Sequence, residues 1–243
     1  MATRPKIPIP WLDSHDVTFP PLASALDEPN GLLAAGGDLS ADRLIQAYRG
    51  GIFPWYEEPQ PILWWSPDPR CVLLPSEVHI SKSLRKTLRS GRFRVTCDTA
   101  FADVMRACAA PRSYSHETWI NSAMLQAYTD LHTLGVAHCI EVWQQNRLVG
   151  GLYGIAIGKV FFGESMFSQA NDASKVALVY LSGQLQTWGY DLIDCQVTNE
   201  HLLSLGAIEI PRAEFEERLQ CSLDATGQAS PWVISWQYDA SVL

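Results

Sequence analysis

Residues 139–167 contain three runs of β-forming side chains separated by turns of only two or three residues. CIEVW (139–143) leads into Gln144-Gln145-Asn146, RLVGGLYGIAI (147–157) into Gly158-Lys159, and VFFGESMF (160–167) completes the series. Runs this close must pair as antiparallel neighbours, because a parallel return needs a crossover of a dozen or more residues. A helix is expected next, from about Ala173 to Trp188 with Gly189 as its stop, and then a strand LIDCQV (192–197). A short helix at 200–205, a strand at 208–210 and a helix at 213–220 follow. This order prescribes a mixed α/β (α+β) sheet.

Upstream, a strand is expected at 71–74 and a helix from about Ser81 to Ser90. A second helix at 100–109 has Phe101, Val104, Met105 and Cys108 at three- and four-residue spacing. A third, at 122–134, starts after Asn121, places Met124, Leu125, Tyr128, Leu131 and His132 on one side, and stops at Gly135. The first 68 residues read differently, with proline and glycine clustered in IPIPW, FPP, EPNG, AAGGD, GGIFPW and EEPQP. They contain one clear helix, with Ser40 as N-cap, Leu44, Ile45, Ala47 and Tyr48 on its apolar side, and Gly50 as the stop. WWSPDPR (64–70) reads as a connector, so a small N-terminal domain (1–68) and a larger domain (69–243) are expected.

With 47% hydrophobic and 18% charged residues in 243, the chain is globular. A formal charge of −8 excludes a protein that coats nucleic acid by bulk electrostatics, though not one with a local basic patch. No apolar run approaches the roughly 18 residues of a membrane span, and MATRPKIPIPWLDSHD lacks the apolar stretch of a secretory signal. A soluble, cytoplasmic protein with no membrane partner is expected. The six cysteines (Cys71, Cys97, Cys108, Cys139, Cys195, Cys221) form no close pair, so reduced and mostly buried thiols are expected. They and the six histidines show no metal-ligand spacing, so no metal is expected.

Against that acidic background, HISKSLRKTLRSGRFR (79–94) holds six of the 18 basic side chains (Lys82, Arg85, Lys86, Arg89, Arg92, Arg94) and no acid. Lys82, Arg85, Lys86 and Arg89 fall at i, i+3, i+4 and i+7, one stripe of a helix, with Leu84 and Leu88 opposite to anchor it. Like charges at this spacing oppose helix formation, and solvated faces usually mix signs. The stripe therefore reads as a phosphate-binding surface for a defined polyanion such as one RNA.

Two segments look equipped for chemistry. In LIDCQVTN, Asp194 and Gln196 stand two apart on an apolar strand, so strand alternation puts both on one face and Cys195 on the other. A buried carboxylate needs a partner; Gln196 is a weak base, yet its amide can accept from an amine and orient it. The pair reads equally as an ordinary, satisfied buried Asp. In FFGESMFS, Glu164 stands among Phe161, Phe162, Met166 and Phe167, as the polar end of an apolar pocket would. Such a pocket suits an ammonium group beside an apolar side chain, as in a leucine- or phenylalanine-like aminoacyl group.

With these residues in view, the sequence resembles the bacterial leucyl/phenylalanyl-tRNA–protein transferases. The matching blocks are EPNGLLAAGGDLS (28–40), GIFPW (51–55), WWSPDPR (64–70), HISKSLRK (79–86), TWI (118–120), GGLYG (150–154), GESMFS (163–168), ASK (173–175), IDCQV (193–197) and SLGAIEIPR (204–212). The resemblance implies an enzyme that takes leucine, phenylalanine or, less well, methionine from its tRNA. The acceptor would be the α-amine of a protein beginning with arginine or lysine, which is thereby marked for ATP-dependent proteolysis. It also implies an acetyltransferase-like larger domain in which tRNA replaces coenzyme A, acting as a monomer without a cofactor.

Carried over by motif, the resemblance implies Asp194 and Gln196 as a catalytic pair and Glu164 as the residue that meets the aminoacyl group. Trp55 and Trp119 would contact the terminal adenosine, with Tyr48 and Tyr128 beside them. Leu152, Phe161 and Met166 would wall the aminoacyl pocket, and Lys82, Arg85, Lys86, Arg89 and Arg92 would take tRNA phosphates. Glu117, before TWI, departs from the glycine expected there. Independently of the resemblance, the turn Ser168-Gln169-Ala170-Asn171-Asp172 lacks the glycines that present backbone amides to a pyrophosphate, and adds an acid. That disfavours an ordinary acetyl-coenzyme A transferase. A non-catalytic tRNA-binding module would explain the basic stripe and the tryptophans but leave Glu164, Asp194 and Gln196 without a role.

Overall fold

The chain is described by a computed structural model over residues 9–110 and 119–239. The proline- and glycine-rich N-terminal part contains β1 (Trp11–Leu12), β2 (Leu32–Gly36), α1 (Ala41–Arg49), β3 (Phe53–Pro54) and β4 (Leu63–Trp65). Its strands form a four-stranded sheet in the order β1-β2-β4-β3. Only α1 is readable in the sequence, since three of these strands are two or three residues long and β2 is buried throughout, so none shows an alternating pattern. Ser40 holds the N-cap position of α1 but makes no side-chain cap bond; its own N–H donates to Asp38 Oδ1 at 2.8 Å.

The larger sheet follows the sequence pattern closely. Its elements are β5 (Arg70–Leu73), α2 (Lys82–Arg89), β6 (Arg94–Cys97), α3 (Phe101–Ala109), α4 (Ser122–Thr133), β7 (Ala137–Gln144), β8 (Arg147–Ile157), β9 (Val160–Ser168), α5 (Ala173–Thr187), β10 (Leu192–Gln196), α6 (Glu200–Ser204), β11 (Ile208–Ile210) and α7 (Arg212–Leu223). Asn121 caps α4 by accepting from Met124 N–H at 2.9 Å, and Ser81 caps α2 by accepting from Leu84 N–H at 3.2 Å. Gln145 and Asn146 are both left-handed (φ 50° and 61°), as a two-residue hairpin turn with the right twist requires. Gly158 closes the next hairpin at φ 57°, where a Cβ would meet the Ser222 carbonyl at 2.3 Å. The four-residue β6 escapes sequence reading because it is short and partly exposed.

Seven strands align in the order β11-β5-β10-β9-β8-β7-β6. β9 and β10 are the parallel pair, and they stay together for only three residues: Leu192 opposite Val160, Ile193 opposite Phe161 and Asp194 opposite Phe162. Beyond these the two strands part, and the sheet opens. The face covered by α5 packs Ile140, Leu152, Phe161, Val176, Leu181 and Ile193. The opposite face joins α3, α4 and the small sheet in one apolar core, in which Leu33, Leu44 and Tyr48 meet Phe101, Tyr128 and Tyr153. Among the described residues, no helix is long and apolar enough to cross a membrane. All six cysteines are free thiols; Cys71, Cys97, Cys108 and Cys139 are buried, Cys195 is half-buried and Cys221 is exposed.

Candidate active site

Where β9 and β10 part, a cavity of about 820 Å³ opens. Leu152 of β8 and Phe161, Glu164 and Met166 of β9 line it, with Leu178 and Leu181 of α5 and Cys195 and Gln196 of β10. A smaller cavity of about 280 Å³ adjoins it, lined by Phe53, Pro54 and Trp55 from the small sheet and by Val197 and Thr198. The two share Trp119, Glu164, Cys195, Gln196 and Asn199. Leu152, Phe161, Met166, Leu178 and Leu181 give the larger space an apolar stretch of wall, Trp55 gives the smaller one an indole, and a carboxyl and an amide stand where they meet.

Glu164 is held by three neutral donors. Tyr48 Oη donates to Oε1 at 2.7 Å, Tyr128 Oη to Oε2 at 3.0 Å, and Gln196 Nε2 to Oε1 at 3.0 Å. The two tyrosine hydroxyls also bond each other. Burial pushes the Glu164 carboxyl up to about 7; the tyrosine hydrogen bonds pull it down, and the nearby Asp194 charge adds to the rise. Both rings are fully buried, so Tyr48 and Tyr128 line neither cavity. The tyrosines expected beside a bound adenosine thus reach the site through the Glu164 carboxyl, which borders both cavities.

Asp194 and Gln196 do not share a face as strand alternation predicts. Against β5, Asp194 pairs with Val72 and Gln196 with Cys71, so Cys195 is the extra residue of a β-bulge. The bulge needs an unusual backbone, and Gln196 takes it, at φ 58°. Cys195 and Gln196 therefore both reach the cavity walls, whereas Asp194 is fully buried behind them. There Asp194 accepts a bidentate pair from Arg70, from Nε at 2.8 Å and from Nη2 at 2.7 Å. Its Oδ1 also accepts from the Gln196 backbone N–H at 3.0 Å. Arg70, which ends the segment expected to be a connector, is as fully buried as its partner. The demand of a buried aspartate for a cation was the available signal; nothing in the spacing pointed to which one.

Leu152, Phe161 and Met166 lie together in the large cavity, with Leu152 and Met166 directly opposed across β8 and β9. Trp55 is 45% exposed at the small cavity, and Trp119 borders both. Glu117 lies outside the described residues. On α2, Lys82, Lys86 and Arg89 are exposed, as is Arg92 beyond it, while Arg85 is half-buried and donates from Nε to the Ile80 carbonyl at 3.1 Å. The stripe adjoins the turn after β9: Thr87 Oγ1 donates to Asp172 Oδ2 at 2.8 Å, and Arg92 Nη2 to the Asn171 carbonyl at 2.6 Å. Asp172 thus sets a carboxylate at the N-terminus of α5, the place where a pyrophosphate would need free amides. Asn199 and His201 border the large cavity as well. Sequence reading passes over both because neither belongs to a recognisable pattern.

Comparison with known proteins gives a consistent result. Residues 72–220 match the family described as leucyl/phenylalanyl-tRNA protein transferase, and residues 37–68 match the family described as its N-terminal domain. A leucyl/phenylalanyl-tRNA–protein transferase of Stutzerimonas stutzeri (strain A1501) is 61% identical over 219 residues, 90% of this chain and 97% of the relative. One of Cellvibrio japonicus (strain Ueda107) is 57% identical over 228 residues, 94% and 96% of the two chains. Among solved structures, a GCN5-related N-acetyltransferase from Kribbella flavida aligns with a TM-score of 0.38 and 11% identity, over 71% of this chain and 61% of that one.

Proposed function

Because the chain belongs to the leucyl/phenylalanyl-tRNA protein transferase family, we propose that it moves leucine, phenylalanine or, less well, methionine from tRNA to proteins beginning with arginine or lysine. The modified protein carries an apolar N-terminal residue that directs it to ATP-dependent proteolysis in the cytoplasm. The observation that carries this reading is the Glu164–Gln196 contact at the junction of the two cavities. The apolar space beside Leu152, Phe161 and Met166 takes the aminoacyl side chain, and Glu164 faces its α-ammonium group. Trp55 and Trp119 stack on the terminal adenosine of the small cavity, and Lys82, Arg85, Lys86, Arg89 and Arg92 meet acceptor-stem phosphates.

The reaction needs little beyond placement. An aminoacyl ester is already activated, so amide formation requires alignment, removal of one proton and stabilisation of a tetrahedral oxyanion. The acceptor amine attacks the ester carbonyl carbon, the carbon–oxygen bond to the ribose breaks, and the tRNA leaves as a free hydroxyl carrying the proton lost by nitrogen. Gln196 has committed its Nε2 to Glu164, so its carbonyl oxygen is the end that accepts an N–H of the incoming amine. Asp194 acts from behind, by holding Gln196. Residues 1–68 supply Trp55 and Tyr48 and residues 69–243 the rest, in a single monomer. The test is transfer of labelled leucine from charged tRNA to a peptide beginning with arginine, with an alanine-led peptide as control. Label on the arginine peptide alone is expected; no transfer, or equal transfer to both, overturns the reading.

A further inference from the structure

Arg70 lines neither cavity, yet it touches β3 and β10, two of the elements that shape them, and packs against α7. Its guanidinium lies between two rings, 5.0 Å from the centroid of Phe53 and 4.4 Å from that of Phe215. Phe53 is a wall residue of the small cavity, two positions before Trp55. The bidentate bonds to Asp194 fix that carboxylate in plane, and Asp194 Oδ1 in turn holds the N–H of Gln196. Gln196 occupies a left-handed backbone position that residues other than glycine seldom adopt, so it stays there only while its surroundings hold it.

Stability alone gives a poor account of this arrangement. A fully buried ion pair is commonly no better than apolar residues of the same volume. This one is worse satisfied than most, since Arg70 Nη1 is buried without a hydrogen-bond partner among the described residues. What the pair does supply is direction. A planar fork presents Asp194 in one orientation, which a single-point ammonium would not do.

We infer that Arg70 is a positioning residue for aminoacyl transfer, acting through Asp194 to hold the Gln196 amide against Glu164 at the cavity junction. The inference rests on the function proposed above. Without Arg70, Asp194 loses its fixed plane, the Gln196 backbone relaxes from the left-handed region, and its amide leaves the reacting centre. Displacements of about 1 Å at such a group cost on the order of 10²-fold in rate.

The test is a mutant cycle in the full chain with Arg70→Met, Arg70→Lys, Gln196→Ala and the two Arg70/Gln196 doubles. Transfer of leucine to an arginine-led peptide is first measured for the parent protein; its absence overturns the functional reading rather than the role of Arg70. In an active parent, Arg70→Met is expected to lower kcat by on the order of 10²-fold, with KM for leucyl-tRNA nearly unchanged. Arg70→Lys should restore part of the loss. Added to Gln196→Ala, either Arg70 change should cost little more, because residues acting as one unit are not additive. Full multiplication of the two losses overturns the inference, as does a rise in KM with kcat preserved. Should Arg70→Met fail to fold, the Arg70→Lys arm of the cycle decides on the same criteria.

Discussion

Asp194 and Glu164 lie on neighbouring strands, the first behind the cavity wall and the second on it, and the two regions around them satisfy a buried carboxyl in opposite ways. On the β5 side, Asp194 is met by a full positive charge in two directed bonds, Nε and Nη2 of Arg70. On the β9 side, Glu164 is met only by dipoles, two phenolic hydroxyls and a carboxamide. The cation neutralises the first carboxylate and fixes it in place. Neutral donors offset only part of the burial of the second, which is why its acidity falls until it titrates at about 7. The charge-paired carboxylate is a brace, and the dipole-solvated one stands open to both cavities.

The sharpest way to break this comparison is to remove the brace. Asp194→Ala leaves the Arg70 guanidinium buried and unpaired, and should cost about 3–5 kcal/mol of stability, read as a lower urea midpoint at unchanged slope. A loss below about 1 kcal/mol would mean that water reaches Arg70 and that the two regions differ less than their burial indicates. Glu164→Gln keeps shape and removes charge, and should leave the fold intact while lowering transfer by about 10²-fold. A stable, fully active Glu164→Gln protein would make Glu164 as structural as Asp194.

The same variant tests the acidity directly. With a folded value of about 7 against an ordinary 4.5, the native state binds more protons than the unfolded chain between these limits. The stabilisation Glu164 provides is therefore complete below about 4.5 and falls away as pH rises toward 7, by at most about 3 kcal/mol. Subtracting the stability–pH curve of Glu164→Gln from that of the parent should leave this downward slope; a flat difference refutes the raised value. Two smaller effects sharpen the picture further out from the carboxyls. Leu152→Trp should shrink the apolar space and disfavour phenylalanine relative to methionine by about 1–3 kcal/mol, seen in the ratio of transfer rates. Changing Arg85 and Arg89 to Glu should reduce the salt dependence of charged-tRNA binding, each lost phosphate contact lowering the slope by about 0.7–0.9.

The large sheet was legible because its signals are local. The helices carry three- and four-residue periodicity with glycine stops at Gly135 and Gly189, and the meander is punctuated by turns too short for any other pairing. The small sheet was not, because strands such as Phe53–Pro54 and Leu63–Trp65 span too few residues for a period. Glu164 stands out in the sequence as an acid isolated among aromatic residues, and the structure brings Leu152, Phe161 and Met166 to the same cavity. The relation of Asp194 to Gln196 cannot be read from the sequence. Alternation assumes a regular ladder, and the bulge at Cys195 breaks it between Asp194 and Gln196. Tyr48 and Tyr128 meet Glu164 from 116 and 36 positions away, contacts that no local spacing encodes.

The position of β5 between β10 and β11 bears on how the enzyme is made. Both of its neighbours come from residues 192–210, more than a hundred positions later in the chain. A growing polypeptide therefore carries β5 with both edges unpaired, and Arg70 without its carboxylate, until residues 192–210 have been made. Such non-local closure is slow and leaves strand edges open to wrong partners. It also means that a chain released before residue 192 carries β5 with neither neighbour, so the large sheet cannot close across its middle in such a fragment.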